Sequence, residues 1–201
     1  MTHDKHQEFF DLAAAEWDLM FTAEDLELLK HIVGKLGVEP GMHILDLGCG
    51  TGILFDILRR IVGPEGTVTG VDFSMQMALT AHRNFPFSNV SVVDADVSAL
   101  PFAASAFDMG IAFSSFPHFS DKRRAVSEIH RVLRNGARFF IIHLSSSKEL
   151  SDLHRRIGGV VKHDVIPDEA ELREMFNGSR FTDVQIEDNA GLYRAVAVNT
   201  K

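Results

Sequence analysis

Leu45-Asp46-Leu47-Gly48-Cys49-Gly50-Thr51-Gly52 is the stretch on which the fold turns. It begins as the end of a short apolar run, His43 to Leu47, and breaks into alternating glycines. A buried run of this length closed by glycines reads as a strand entering a tight turn. The next segment, Ile53 to Val62, carries Ile53, Leu54, Ile57, Leu58 and Ile61 at helical spacing. Strand, glycine turn and helix in succession make the opening unit of a doubly wound sheet, in which ligands bind beyond the carboxyl ends of the strands. Alternate glycines remove the Cβ atoms that would keep a ligand from the backbone.

Working outward, the same alternation continues. Thr67 to Val71 is β-branched and strand-like, Met75 to Asn84 helical, and Val90 to Val93 and Phe107 to Phe113 are strands three and four. Asp121 to Arg134 is a helix, capped by Ser120 or Asp121 and ended by Gly136; Ala137 to Leu144 is strand five. Asp168 to Phe176 is a helix. Phe181 to Glu187 and Tyr193 to Val198 stand too close for a crossover helix, so they form an antiparallel pair. Phe9 to Met20 and Ala23 to Leu36 read as two leading helices. The expectation is an α/β Rossmann-like doubly wound fold: a mostly parallel seven-stranded sheet, an antiparallel last strand, and helices on both faces.

Two acids near the glycine turn narrow the ligand. Asp46 precedes the glycines, a poor neighbour for a pyrophosphate and a good one for a cation. Asp72 ends the second strand, 20 residues after Gly52, where a carboxylate can accept both hydroxyls of a ribose. The spacing G-x-G-x-G differs from the G-x-G-x-x-G of dinucleotide sites. A nicotinamide-dependent oxidoreductase is disfavoured on both counts. The plain alternative for each acid is a cap on the following helix or turn.

With these residues the chain resembles the class I S-adenosylmethionine-dependent methyltransferases, in particular the ubiquinone and menaquinone biosynthesis branch (methyltransferase type 11), over roughly Phe9 to Val198. Leu45 to Gly52 resembles the first family motif and Val71-Asp72-Phe73-Ser74 the second. Asp94-Ala95-Asp96-Val97-Ser98-Ala99-Leu100-Pro101-Phe102 resembles the third, and Glu128 to Gly136 the helix and turn before strand five. Asn135 and Ala137 depart from the family's usual proline and glycine there. The resemblance implies S-adenosylmethionine as cofactor, with S-adenosylhomocysteine as product. It places Gly48, Cys49, Gly50 and Gly52 along the cofactor, Asp46 near its cationic end and Asp72 on the ribose. Phe73 lies beside the adenine, Asp96 and Val97 bond to it, and Phe113 is pocket wall. It also implies that residues 1–36, with Phe9-Phe10 and Trp17-Asp18, cover the cofactor site of a domain spanning 37–201.

A sulfonium already activates its methyl group, so such an enzyme contributes mainly alignment. A base is needed only where the acceptor must lose a proton. The loop Ser114 to Phe119 lacks the Asn/Asp-Pro-Pro-aromatic pattern of enzymes that methylate DNA amines, and His118 is its one candidate base. The other reading of His118 is a loop histidine that positions backbone or substrate. His143, His154 and His163, with Asp164, belong to strand five and to a lid-like insertion near 145–167. They could converge above the cofactor; one reading is a substrate site using a metal, the other polar cavity lining or surface histidines, and since none shows the spacing of a strong metal site, no metal is assigned. Cys49 reads as a small buried side chain rather than a nucleophile.

Composition agrees with a packed globular fold, with 45% apolar residues, and the net charge of −8 disfavours nucleic acid. Lys122-Arg123-Arg124 and His154-Arg155-Arg156 read as solvated helix surface. One cysteine excludes an internal disulfide, no apolar run is long enough for a membrane span, and the polar stretch Met1 to Glu8 is unlike a signal peptide. The expectation is therefore a cytoplasmic monomer or homodimer acting on a small molecule, the alternative being a non-catalytic module that binds the cofactor for regulation.

Overall fold

The computed structural model describes residues 2–201, with side chains from Lys5 onward. Met1, and the side chains of 2–4 in the polar N-terminal stretch, lie outside the described residues. The elements run α1 (Thr2–Ala13), a 3-10 turn (Trp17–Met20), α2 (Ala23–Val33), β1 (His43–Leu47), α3 (Phe55–Val62), β2 (Thr67–Asp72), α4 (Met75–Asn84), β3 (Val90–Asp94), β4 (Phe107–Phe113), α5 (Lys122–Val132), β5 (Leu133–His143), α6 (Ser147–Ile157), α7 (Glu169–Gly178), β6 (Phe181–Asn189) and β7 (Leu192–Asn199).

The strands form one seven-stranded sheet in the order β3-β2-β1-β4-β5-β7-β6. Pairs β1–β2, β2–β3, β1–β4 and β4–β5 are parallel, while β7 runs antiparallel to both β5 and β6. The chain proceeds outward from β1 through β2 to β3, then returns to place β4 on the other side of β1. That reversal opens a crevice beyond the carboxyl ends of β1 and β4, where the glycine turn lies.

Strand alternation divides the core. Leu45, Leu47, Phe139 and Ile141 face α5 and α7, which bury Val126, Ile129, Leu172 and Phe176. Ile44, Val68, Phe140 and Ile142 face α2 and α3, which bury Leu29, Phe55 and Leu58. In α5, Ala125, Val126, Ile129 and Val132 are fully buried, a stripe at spacings of three and four. Each buried Val or Ile contributes about 1.5–3 kcal/mol of transfer free energy. This packing fixes the N-terminal end of α5 beside the crevice.

Several elements differ from the sequence reading, three of them with consequences for packing. The helix expected over Phe9 to Met20 ends at Ala13, and Trp17–Met20 is a separate 3-10 turn. The break lets Phe10 and Trp17 meet with ring centroids 5.6 Å apart, while Phe10 also meets Phe73 at 5.6 Å. Gly136 does not end α5: the helix stops at Val132 and β5 begins at Leu133, which is buried and pairs with Phe107. Gly136 lies inside β5 with φ +79°, where the pairing with β4 shifts register. The insertion holds a helix, α6, capped by a Ser146–Glu149 box in which each side chain binds the other residue's backbone N–H.

Candidate functional site

The turn after β1 is held by β2. The N–H groups of Gly48 and Cys49 donate to the carbonyl of Val71 at 2.7 and 3.0 Å, and that of Gly50 donates to Asp72 Oδ2 at 2.7 Å. Asp72 Oδ1 accepts the N–H of Ser74 at 2.9 Å, so the carboxylate joins the glycine turn to the start of α4. Burial pushes the Asp72 carboxyl up to about 6; the two backbone donors oppose the rise, and Asp94 and Asp11 add to it.

The glycines have different tasks. A Cβ on Gly48, whose φ is +69°, would stand 2.5 Å from Ser115 Cβ, so this glycine lets the loop after β4 approach the turn. Ser115 Oγ closes that approach by donating to the carbonyl of Leu47. At Gly50 a Cβ would meet only Trp17. Gly52 is filled from the core side by Phe55 and Phe85.

A cavity of about 240 Å³ opens above the turn. Of the residues selected from sequence, Gly48, Cys49, Gly50, Asp72, Phe73, Asp96, Val97, Phe113 and His118 line it. Asp46 and Gly52 are absent from the lining. Asp46 is buried on β1 on the same sheet face as Ile44; burial, with the neighbouring Asp72 charge, pushes its carboxyl up to about 8, and Oδ2 has no partner. Asp46 is therefore packed beside the cavity rather than lining it. Cys49 is buried, and burial raises its thiol well above the ordinary range, in keeping with a packed and unreactive side chain. Asp96 caps the short 3-10 turn Val97–Ala99 and accepts the N–H of Ser98 at 2.7 Å.

Contacts from α1 and the insertion complete the enclosure, among them Asp11 and His6, which the sequence did not single out. From α1, Phe10 packs edge-on to His118 at 5.0 Å, and Asp11 accepts from Ser74 Oγ at 2.6 Å and from the N–H of Gln76 at 3.1 Å. Thr51 of the glycine turn donates to Asp18. Asp164, from the insertion, bonds His118 Nδ1 through Oδ2 at 2.7 Å and is also bonded by His6 Nε2 at 3.1 Å. His154 Nδ1 bonds the Asp164 carbonyl at 2.6 Å, and its ring lies 4.9 Å from that of His118. These partners stand 46 and 158 residues apart in the chain, so no local pattern announces them.

The histidines of the insertion separate. His154 is buried beside His118, whereas His163 is exposed. His143 is buried on β5, and burial with the nearby His118 and His154 holds its ring down to about 3. Among the described residues no set of three or more His, Cys, Asp or Glu is arranged to hold a metal ion. Nor is either basic cluster wholly solvated. Lys122 lines the cavity and donates to the carbonyls of Pro117 and Phe119 at 2.7 and 3.2 Å; burial holds its ammonium below the ordinary value.

Residues 45–141 match the methyltransferase domain family. The chain is thus similar, over just under half of its length, to methyltransferase domains. It is 35% identical over 149 residues to the 2-phytyl-1,4-naphtoquinone methyltransferase of Nostoc sp., covering 69% of this chain and 64% of that protein. It is 36% identical over 129 residues to the O-methyltransferase cnsE of Penicillium expansum, covering 62% and 46%. The chain thus spans about half to two thirds of the length of these curated relatives. In fold it matches a chain of the complex between the Haloferax volcanii Trm112 methyltransferase activator and a methyltransferase, with a TM-score of 0.78 at 21% identity over 96% of this chain and 98% of that one.

A second solved structure of similar fold is an S-adenosylmethionine-dependent methyltransferase from Aquifex aeolicus, with a TM-score of 0.68 at 20% identity over 90% of this chain and 100% of that one, and the cofactor it names is S-adenosylmethionine. The cavity's chemistry fits it. Asp72, Asp96 and Asp164 present carboxylates, while the lining cation Lys122 is held by backbone carbonyls. Such a set suits a ligand bearing positive charge and hydroxyl donors and opposes a pyrophosphate. Gly50 lines the cavity and has no side chain of its own to keep a ligand from the backbone.

Proposed function

We propose that this chain transfers the methyl group of S-adenosylmethionine to a small-molecule acceptor inside the cavity beneath α1. The observation that carries this reading is the Asp72 carboxylate, buried at the end of β2, exposed to the cavity and braced by Gly50 and Ser74.

In this reading Asp72 accepts the ribose hydroxyls. Phe73 and Val97 flank the adenine, Asp96 accepts from its amino group, and the Val97 N–H donates to the ring. Gly48, Cys49 and Gly50 let the methionine portion lie along the turn, and Phe113 closes the wall. Gly52 supports the turn from below by accommodating Phe55 and Phe85. Asp46 acts from beneath the turn, with no direct contact. When bound, the cofactor supplies a methyl group already activated by the sulfonium.

The chain contributes enclosure, alignment and a proton acceptor. Phe10, Trp17 and Phe21 close the cavity from the N-terminal side, and Phe119 and His118 from the loop after β4. This wall excludes water and holds the acceptor in line. His118 takes the proton that the acceptor must lose. Residues 1–36 and the insertion near 145–167 together act as the cover. The named activities of the relatives, on a naphthoquinone and at an oxygen atom, support an organic acceptor of modest size.

The test is formation of S-adenosylhomocysteine when the chain is incubated with S-adenosylmethionine and a panel of phenols, hydroxyquinones, amines and thiols. Methyl transfer with at least one class is expected. Tight cofactor binding with no product across the panel would establish a regulatory binding module instead.

A further inference from the structure

Asp164 gathers three imidazoles from three parts of the chain. Its carboxylate meets His118 of the loop after β4 at 2.7 Å and His6 of α1 at 3.1 Å, and its backbone carbonyl meets His154 of α6 at 2.6 Å. An ionised carboxylate only accepts hydrogen bonds. The ring nitrogen facing it must therefore carry the proton, which sets His118 as the Nδ1–H form with a lone pair on Nε2. The ring is held on either side, by Phe10 at 5.0 Å and His154 at 4.9 Å, and it lines the cavity.

We propose that Asp164 is a positioning residue: its carboxylate fixes His118 with Nδ1 as donor and Nε2 as the proton acceptor of the cavity, and His6 ties this pair to the covering helix α1. The inference rests on the methyl-transfer reading for its chemical purpose. The base is complete only when the insertion, the loop after β4 and α1 come together. The step it serves is balanced simply. As the acceptor atom forms its bond to the methyl carbon, the S–CH₃ bond breaks with its electron pair passing to sulfur. The acceptor's proton moves to Nε2 and from there to solvent. Acceptors that bear an acidic proton, such as hydroxyl groups on unsaturated carbon, need this arrangement.

The electrostatics agree with that role. Burial holds the His118 ring below its ordinary value, while Asp164 pushes it upward; His154 and His6 oppose Asp164. Facing the group are His6 from α1, Lys122 from α5, His143 from β5, His154 from α6 and Asp164 itself. Asp164 is held below the usual carboxylate range by His118 and His6 against its own burial, so it is the anion of the set.

The experiment is a long-range proton–nitrogen NMR spectrum of the full chain with labelled histidine, His118 being assigned through His118→Gln. Wild-type His118 is expected as the Nδ1–H tautomer, the reverse of the form favoured by an imidazole free in water. Asp164→Ala is expected to return it to Nε2–H. A second readout uses 4-nitrophenol in protein saturated with S-adenosylhomocysteine. Its phenolate fraction should fall about tenfold in Asp164→Asn, the size of a shift of one pKa unit. An Nε2–H tautomer in the wild type, or phenolate fractions equal in wild type and Asp164→Asn, would overturn the proposal. Failure of S-adenosylhomocysteine to bind would instead sink the functional reading and leave the tautomer result standing.

Discussion

Asp72 Oδ2 accepts the backbone N–H of Gly50 at 2.7 Å, so the carboxylate that ends β2 also shapes the turn that ends β1. The two motifs most telling in the sequence are thus one physical unit. Burial raises this carboxyl to about 6. Only the ionised form is purely an acceptor. Cofactor affinity should therefore be constant above about pH 7 and weaken as pH falls through the Asp72 value near 6. Calorimetric titrations across this range check it, and an affinity independent of pH down to about 5 would separate Asp72 from the ligand.

Gly48→Ala should damage the site through the fold. The new Cβ would lie 2.5 Å from Ser115 Cβ at a φ of +69°. Strain of this kind costs about 1–3 kcal/mol. Urea denaturation should show a loss of that order, and cofactor affinity should fall because the loop carrying Ser114 to Phe119 is displaced. A variant as stable as the wild type would show that the loop approach is not tight.

Asp46 should make stability depend on pH. Its folded value is near 8 against an ordinary 3.8, so the folded chain keeps a proton that the unfolded chain releases. Where the folded state binds more protons, stability falls as pH rises. The Asp46 contribution is complete below 3.8 and is lost as pH rises through about 8. Asp46→Asn should remove this decline and make the protein more stable than wild type at about pH 8.5. Chemical denaturation of both proteins at about pH 5.5 and about pH 8.5 measures it, and parallel curves would contradict it.

Asp11 should hold the cover in place. Its carboxylate binds Ser74 Oγ and the N–H of Gln76 at the start of α4. A hydrogen bond to a charged group is worth about 1.5–3 kcal/mol. Asp11→Ala should release α1, speeding protease cleavage ahead of α2 and raising the cofactor dissociation rate, while the melting temperature of the sheet changes little. Cleavage at the wild-type rate would show that Phe10 and the His6–Asp164 bond hold α1 without Asp11.

The fold was legible because its evidence is periodic. Alternating strand and helix runs gave the order of the elements, and the short link between the last two strands gave their antiparallel pairing. Helix ends were less legible. Gly136 has the residue type of a helix stop, yet pairing of buried Leu133 with Phe107 ends α5 sooner. The Ser146–Glu149 box that starts α6 has the spacing of a helix N-terminus, inside the stretch that reads as an insertion. In the site, residues at strand ends were readable, since topology brings all such ends together. His6 was not, and although Asp164 and Lys122 drew notice, their place in the cavity did not show. Their partners are fixed by how the insertion, α1 and α5 pack, which no local spacing records. Asp46 shows the reverse case: its position in the motif was clear, but its side chain is buried in β1 and is not part of the cavity lining.

The central claim is that this cavity holds S-adenosylmethionine with its ribose on Asp72. Calorimetric titration of the wild type with S-adenosylmethionine and with NAD, repeated on Asp72→Asn, tests it most directly. The account predicts binding of S-adenosylmethionine, no measurable binding of NAD, and an affinity about 10- to 100-fold weaker in Asp72→Asn, as expected for losing hydrogen bonds to a charged group. Tight binding of NAD, or equal affinity for S-adenosylmethionine in wild type and Asp72→Asn, would contradict it.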